Sequence, residues 1–327
     1  MNTEKLVSIA MITYNHENYI HQAIQSVVNQ KTDFDIELII GDDASTDNTL
    51  KILNEYQMKY PNIIKIYNQQ ENVGPTKNFF FILNKCEGKY IAQLEGDDWW
   101  SDNYKLKKQI DFLEQNPDYI ATSHSCITYL MESNDYVKYS HYYYETSHDY
   151  TLEDFKIIQS PGHTCSMVYR NFIKSKYDDF SIIYTADKNT CDRTINMILV
   201  LLGKIYCFSD CMSVYRRVVN IGAFNINSLY KGKNISEIEC DYLLSLKKFS
   251  EEHYGIECIN QKKLDDVTVN ALKWFFKTFS KDDWRIYVNI CKKRNVNLII
   301  KIIDLIMRKV KNSIIKYNKS IIEKLKK

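Results

Sequence analysis

Glycine and proline are scarce in this chain, nine and four among 327 residues. A long flexible linker would need more of both, so the sequence reads as folded rather than strung between domains. The nine cysteines are odd in number and scattered, with no CxxC pair. That pattern argues against a cysteine-built metal cluster and against a disulfide framework. No window reaches about 18 uninterrupted apolar residues, so no transmembrane helix is expected. The opening, MNTEKLVSIAMITYN, passes from polar residues straight into a strand-like run without a secretory signal. A reducing cytoplasm is the expected location. The turn TYNHEN after that first run holds no glycine, which speaks against a GxGxxG dinucleotide fold and against a P-loop.

What is present is an ordinary globular composition, 45% hydrophobic and 26% charged, with an unusual 25 tyrosines. The net charge of +2 conceals an asymmetry. Residues 292–327 carry twelve Lys/Arg against two acids, which leaves the remaining residues acidic by eight charges. Within that tail Ile299, Ile303, Ile306, Val310, Ile314, Tyr317, Ile321 and Leu325 recur at helical spacing between lysines and arginines. This is a basic amphipathic helix, suited to an anionic membrane surface. A helix packed on the rest of the protein with a solvated basic face is the equal alternative. Interleaved aromatics are lacking, and nucleic acid is not an expected partner.

Two periods alternate along the first hundred residues. Leu6–Ile12, Ile36–Ile40, Ile63–Tyr67 and Lys89–Leu94 read as strands; Glu17–Gln30, Thr46–Lys59 and Pro75–Lys85 read as helices. Strand-helix alternation of this kind predicts an α/β domain, a doubly wound and mostly parallel Rossmann-like sheet with right-handed crossovers. Beyond it come a helix over Asn103–Gln115 and strands at Tyr119–Tyr129 and Thr164–Tyr169. A polar, tyrosine-rich loop or hairpin occupies Met131–Tyr150. A helix over Lys188–Leu202 is closed by Gly203 as C-cap, and two short strands follow at Lys204–Phe208 and Met212–Arg216. Helices continue from about Asn227 to the end. The expected division is residues 1–226, with halves 1–116 and 117–226, followed by a helical extension at 227–327.

In doubly wound sheets ligands bind beyond the carboxyl ends of the strands. Thr13-Tyr14-Asn15, Asp42-Asp43 and Asp97-Asp98 each follow a strand end. One acid at such a place is more often a helix cap, but three clusters converging on one rim point to a site. Paired carboxylates repel unless a hard cation sits between them, and that cation would neutralise a diphosphate in place of the absent phosphate loop.

The stretches VSIAMITYNHENYIHQAIQSVVNQ, ELIIGDDASTDNT, NVGPTKNF and YIAQLEGDDWWSDNYKLKKQIDFL come in this order. Together they resemble the donor half of a family-two inverting glycosyltransferase of the GT-A fold, strongly to about residue 116 and more loosely to 217. The resemblance implies that Tyr14 stacks on a nucleotide base and that Asp43 accepts a hydrogen bond from its ring N–H. It implies that Asp98 ligates Mg2+ or Mn2+ and that Asp97 sits near the ribose and the metal. Thr13, Asn15, Lys77 and Arg216 would complete the donor site, with Trp99 bordering the sugar, Trp100 packed beneath, and Asp102 capping the next helix.

The family's general base is an acid at the start of the helix after the acceptor region. Counting eleven residues back from Gly203 gives Asp192, with Asp187 as runner-up. GHTCSMVYRN places His163 and Ser166 on the acceptor side, although His163 reads equally well as a buried, hydrogen-bonded residue. Many relatives carry a histidine after the Tyr-Arg pair; here Val218 and Val219 stand there, so either Arg216 or Arg217 substitutes or the loop does not close on the donor. The processive members' QxxRW motif is absent. The resemblance thus implies transfer of one sugar from a nucleotide-sugar, a UDP-sugar by preference, to a hydroxyl of a glycan or lipid-linked acceptor, as in capsule, O-antigen or lipooligosaccharide synthesis. The acceptor would lie near the tyrosine-rich segment 136–150. Two alternatives stand beside it: a sugar nucleotidyltransferase, which would want a glycine-rich first loop, and a nucleotide-sugar-binding relative without catalysis.

Overall fold

The computed structural model describes residues 7–174, 179–217, 230 and 232–297. The chain divides into two compact units, residues 1–229 with 246–258, and residues 230–245 with 259–327. The sequence-based boundary at 226 did not anticipate that residues 246–258 group with the first unit.

The first unit opens with β1 (Val7–Thr13), α1 (Ile20–Val28), β2 (Ile36–Asp42), α2 (Thr49–Lys59), β3 (Ile64–Asn68), α3 (Pro75–Leu83) and β4 (Tyr90–Glu95). The four strands are parallel, in the order β3-β2-β1-β4. β1, β2 and β4 are near-continuous apolar runs because helices cover both faces of the sheet, and Ile9, Leu38, Ile40 and Ala92 are fully buried. Successive strands step outward from β1 to β3, and β4 then returns to the other side of β1. That reversal opens a crevice past the carboxyl ends of β1 and β4.

The chain continues through β5 (Trp99–Trp100), α4 (Lys105–Gln115), β6 (Tyr119–Leu130), β7 (Asp135–Val137), β8 (His148–Tyr150) and α5 (Leu152–Ile157). A 3-10 turn at Thr164–Ser166, β9 (Val168–Arg170), α6 (Ile182–Thr185), α7 (Asp192–Leu202) and β10 (Lys204–Arg217) complete the sheet. Its second half runs β4-β9-β6-β10-β5, with β7 on β6 and β8 on β10. β9 is antiparallel to both β4 and β6, whereas β6 and β10 are parallel.

Several elements depart from the sequence expectation for local reasons. Thr164–Tyr169 splits into a 3-10 turn and a later strand, because Ser166 Oγ donates to the His163 carbonyl at 2.6 Å and tightens the turn. The two strands expected at 204–216 are one, interrupted by register shifts around Cys211. α7 starts at Asp192 rather than Lys188, since a turn at 187–190 precedes it. Gly203 does follow its last residue, but with an extended backbone (φ 168°) rather than a left-handed cap. The site is tight: a Cβ there would lie 3.3 Å from the Asp118 carbonyl oxygen and from Ile120 Cβ.

The glycine-poor loops at the crevice are tied to each other. The Asn15 N–H donates to Ser45 Oγ (2.9 Å), and the Thr46 N–H to Asn15 Oδ1 (2.8 Å). The Glu17 N–H donates to Asp47 Oδ2 (3.0 Å), and the Asn48 N–H to Glu17 Oε2 (2.9 Å). The left-handed positions that such turns need are filled by Asn15 (φ 56°) and Ala44 (φ 59°); a short polar side chain tolerates this region better than most. Against β2, α3 approaches so closely that a Cβ on Gly41 would meet Asn78 Oδ1 at 2.5 Å and Ile82 Cγ2 at 2.7 Å. Gly41→Ala is therefore expected to destabilise the protein by about 1–3 kcal/mol, the range of overpacked cores. A melting temperature equal to that of the parent would refute this.

The second unit contains the first part of α8 (Ser236–Tyr254), with α9 (Gln261–Thr278) and α10 (Lys281–Lys293). Asn260 caps α9 by accepting the Lys263 N–H, and Ser280 caps α10 by accepting the Asp282 N–H. Arg294 reaches back to the Leu264 carbonyl (2.6 Å) and Asp265 Oδ1 (2.8 Å). The expected amphipathic tail at 299–325 and Val218–Val219 lie outside the described residues. Among the described residues, no helix is long and apolar enough to cross a membrane.

Candidate active site

The site is built from the crevice upward. β1 ends in Thr13, which is buried, followed by Tyr14 and Asn15, both half-buried. Beside it β2 ends in two buried acids. Asp42 accepts from the Ser45 hydroxyl (2.5 Å) and the Ser45 N–H (3.1 Å). Asp43 accepts from the Val73 N–H at Oδ1 (2.8 Å) and the Gly74 N–H at Oδ2 (3.0 Å). Burial raises both carboxyls above their usual range, against the pull of these bonds. Asp43 thus clamps the loop that leads into α3, and each of its oxygens keeps a second lone pair.

From the end of β4 come Glu95, Asp97 and Asp98. Asp98 is 1% exposed. Its Oδ1 accepts the Arg216 N–H at 2.8 Å, while its buried Oδ2 has no hydrogen-bond partner. Facing that oxygen at 3.5 Å is Nδ1 of His163. The same Nδ1 lies 3.4 Å from the Cys165 backbone nitrogen as its acceptor, which assigns the ring proton to Nε2. Burial holds His163 neutral, down to about 3. Two acceptors therefore confront each other across a gap that only a proton or a cation relieves. Burial, then Asp97 and Glu95, raises Asp98 well above the carboxylate range. Glu95 is pushed up to about 8 by burial, with Asp97 and Asp192 adding to it.

Ligand atoms of Glu95, Asp98 and His163 all lie within 4.8 Å of one another. The orphaned oxygen, the lone pair on Nδ1 and this spacing fit a divalent cation. Asp97, expected as a second ligand, is not part of that group. Its carbonyl accepts the Arg216 Nε–H at 2.8 Å.

Arg216 is 8% exposed and largely committed to holding the site together. Its Nη2 donates to Gln22 Oε1 at 2.6 Å. The guanidinium lies 4.6 Å from the ring centre of Trp99, 4.9 Å from that of Tyr19 and 5.7 Å from that of Tyr129. Trp99 therefore walls Arg216, while Trp100, 3% exposed, packs beneath and donates Nε1–H to the Cys165 carbonyl (2.9 Å). Arg217 instead donates to the Tyr139 hydroxyl at 3.2 Å. Asp102 accepts the Tyr104 N–H (2.7 Å) and pairs with Lys108 (2.8 Å), so it braces the entry to α4, whose capping position is Tyr104.

On the other side of the cluster α7 begins with Asp192, exposed and in electrostatic contact with Glu95 and Tyr142. Asp187 is turned to its own backbone, its Oδ1 accepting the N–H groups of Asn189 (2.7 Å) and Thr190 (3.0 Å). That turn docks on the start of α3, where the Thr76 hydroxyl donates to the Lys188 carbonyl (3.1 Å). Lys77, one residue on, is exposed and is not among the residues gathered around Asp98. Ser166 is fully buried and bonded to Ser123 Oγ (2.8 Å), so it supports the turn instead of lining a surface.

Sequence reading missed two members of the cluster. Glu95 was visible in EGDD, two residues ahead of the acid pair. His163 was named, either on the acceptor side or as a buried, hydrogen-bonded residue, and not beside Asp98. Only the insertion of β9 between β4 and β6 carries it to Asp98, 65 residues away in the chain, and no local pattern encodes that.

The comparisons with known proteins agree with this architecture. The model of glycosyl transferase family 2 matches residues 8–180. The uncharacterized protein Rv1520 of Mycobacterium tuberculosis is 34% identical over 211 residues, 64% of this chain and 58% of that protein, so this chain spans under two thirds of such a relative. The dTDP-rhamnosyl transferase RfbG of Shigella flexneri is 40% identical over 110 residues, 32% of this chain and 37% of its own. Among solved structures, S. aureus TarS 1–349 in complex with UDP-GlcNAc superposes with a TM-score of 0.55 at 18% identity, covering 90% of this chain and 93% of that one. The α/β architecture is that of the GT-A fold, and the chain belongs to glycosyl transferase family 2.

Proposed function

We propose that this protein transfers one sugar from a nucleotide-sugar to a hydroxyl of a glycan or lipid-linked acceptor, with inversion at the anomeric carbon. The observation that carries the reading is the gap between Asp98 Oδ2, which has no hydrogen-bond partner, and His163 Nδ1 at the strand-order reversal, with the exposed Asp192 in electrostatic contact with the neighbouring Glu95. Glu95, Asp98 and His163 would hold a divalent cation. The imidazole in the set favours Mn2+ over Mg2+, which prefers all-oxygen shells. When bound, the cation supplies counter-charge to the leaving diphosphate.

The chain's own groups carry the remainder. Tyr14 offers a ring to the base beside Asp43, whose free lone pairs accept a base N–H. Thr13, Asn15, Asp97 and Lys77 border the nucleotide, and Arg216 fixes the loop bearing Asp97 and Asp98. Asp192 takes the proton of the acceptor hydroxyl as its oxygen bonds to the anomeric carbon and the bond to the diphosphate breaks. A lipid-linked acceptor is included because residues 292–327 are strongly basic. UDP is the proposed nucleotide.

A thermal-shift titration with UDP, dTDP and GDP, each with and without Mn2+, tests the donor half. Binding to the native state alone stabilises it by about 2.7 kcal/mol at a hundredfold excess over Kd. Metal-dependent stabilisation by UDP is expected. Absence of stabilisation by all three nucleotides would overturn the reading.

A further inference from the structure

Beneath the Asp98–His163 gap lie two cysteines from distant parts of the chain. Cys126 is on β6, where it pairs with Ser213 of β10, and Cys165 is in the 3-10 turn. Their Sγ atoms are 3.8 Å apart, and Cys165 Sγ is 3.2 Å from His163 Nδ1, the atom that faces Asp98 Oδ2 at 3.5 Å. Both thiols are fully buried and free. Ligand atoms of Cys126, His163 and Cys165 lie within 4.8 Å of one another. Buried free cysteines commonly serve as small apolar fillers.

The distances match a known coordination geometry. A tetrahedral zinc with Zn–S of about 2.3 Å and Zn–N or Zn–O of about 2.0 Å has an S···S edge of about 3.8 Å, S···N edges of about 3.5 Å and an N···O edge of about 3.3 Å. The Cys126–Cys165 and Cys165–His163 separations, 3.8 and 3.2 Å, stand near these values before any metal enters. The frame around them is already braced. His163 stacks on Tyr215 (centroids 4.1 Å apart), Ser166 holds the His163 carbonyl, Trp100 holds the Cys165 carbonyl, and Ser213 Oγ is 3.1 Å from Cys165 Sγ. Lys105, fully buried and bonded to Gln109 Oε1 at 2.8 Å, interacts electrostatically with Cys165 and would offset thiolate charge.

We propose that Cys126, His163 and Cys165 form a second, thiophilic site that binds Zn2+, and that Zn2+ there excludes the donor-site cation because both need His163 Nδ1. Binding replaces two S–H protons, which pass to the buffer. The binding half stands without the transferase reading; the exclusion half rests on it.

Co2+ titrated into the full-length, reduced protein tests the binding half. Tetrahedral d–d bands with thiolate-to-cobalt charge transfer are expected, saturating at one equivalent and bleached by one equivalent of Zn2+. The Cys126→Ser/Cys165→Ser double variant is expected to lose the charge-transfer band, while Cys240→Ser retains it. Absence of the band in the parent, or its persistence in the double variant, overturns the site. X-ray absorption on the Zn2+-loaded parent needs no variant: two sulfur and two nitrogen or oxygen neighbours are expected, and four sulfurs or none refute it. For exclusion, one equivalent of Zn2+ is expected to raise the Mn2+ concentration needed for nucleotide stabilisation by about tenfold or more in the parent, by competition, and not in the double variant. A thiolate-bound zinc without that rise would sink exclusion alone. A thiolate-bound zinc in a protein that binds no nucleotide under any condition would sink the transferase reading and leave the zinc site standing.

Discussion

Asp192→Asn is expected to lower the rate of sugar transfer by about 10²- to 10⁴-fold, the usual contribution of a positioned general base. Metal-dependent stabilisation by nucleotide should be unchanged, because Asp192 is exposed and lies outside the Glu95–Asp98–His163 group. Its side chain is exposed at the first position of α7, so folding stability should move by no more than about 0.5 kcal/mol. Asp187→Asn is the internal control. Asp187 spends its Oδ1 on the N–H groups of Asn189 and Thr190, and an asparagine Oδ1 can accept both bonds, though as a weaker acceptor. Its rate should stay within about twofold of the parent, since the oxygen that shapes the turn is kept. Initial rates with a donor that supports turnover decide between them. A normal rate in Asp192→Asn with a collapsed rate in Asp187→Asn would move the base to Asp187.

Glu95→Gln is expected to stabilise the metal-free protein at alkaline pH, and to do so through a term that vanishes in acid. Burial first, then Asp97 and Asp192, pushes the Glu95 carboxyl up to about 8 in the folded state, whereas in an unfolded chain it titrates near its ordinary value of about 4.3. Below that lower value the group is protonated in both states and contributes nothing. Between the two values the folded protein holds a proton that the unfolded chain has shed, so stability falls as pH rises, and the loss is complete above about 8. Glutamine removes it. The gain at pH 9 should be on the order of 5 kcal/mol, falling to near zero at pH 4.

Comparing the two proteins at each pH matters because other buried groups act in the opposite sense. Burial depresses His124, His163 and Lys105. For these bases the unfolded chain binds protons that the folded protein rejects, so their destabilisation is relieved as pH rises. They are common to both proteins and cancel in the difference. Mn2+ should reverse the alkaline loss in the parent and do much less in Glu95→Gln, because the cation replaces the proton between the same oxygens. Melting curves at pH 4, 7 and 9 with and without Mn2+ measure all of this. A pH-independent difference between the two proteins would show that Glu95 is not ionised against its surroundings.

Legibility followed the range of the interactions. β1, β2 and β4 were visible because a strand covered on both faces must be apolar at every position, and that pattern lies within seven residues. The rim acids Asp42, Asp43, Asp97 and Asp98 were visible because each follows such a run directly. Boundaries blurred where short-range side-chain bonds compete with the helix: the Asp187 turn delayed α7, and Asp102 bonds the Tyr104 N–H without becoming the cap of α4. The contact of buried Ser166 with Ser123, 43 residues earlier, is one that no local pattern carries.

By itself, then, the amino-acid order determined the α/β alternation, the crevice beyond β1 and β4, and the family to which these motifs belong. All three depend on periodicity and on motifs carried within single segments. Tertiary structure decided which groups confront one another. β9 inserts antiparallel between β4 and β6 and delivers His163 and Cys165 to Asp98 and Cys126, so that an acceptor faces an acceptor over a pair of thiols. That meeting depends on strand order and register over dozens of residues, and burial there converts ordinary side chains into groups that need a cation.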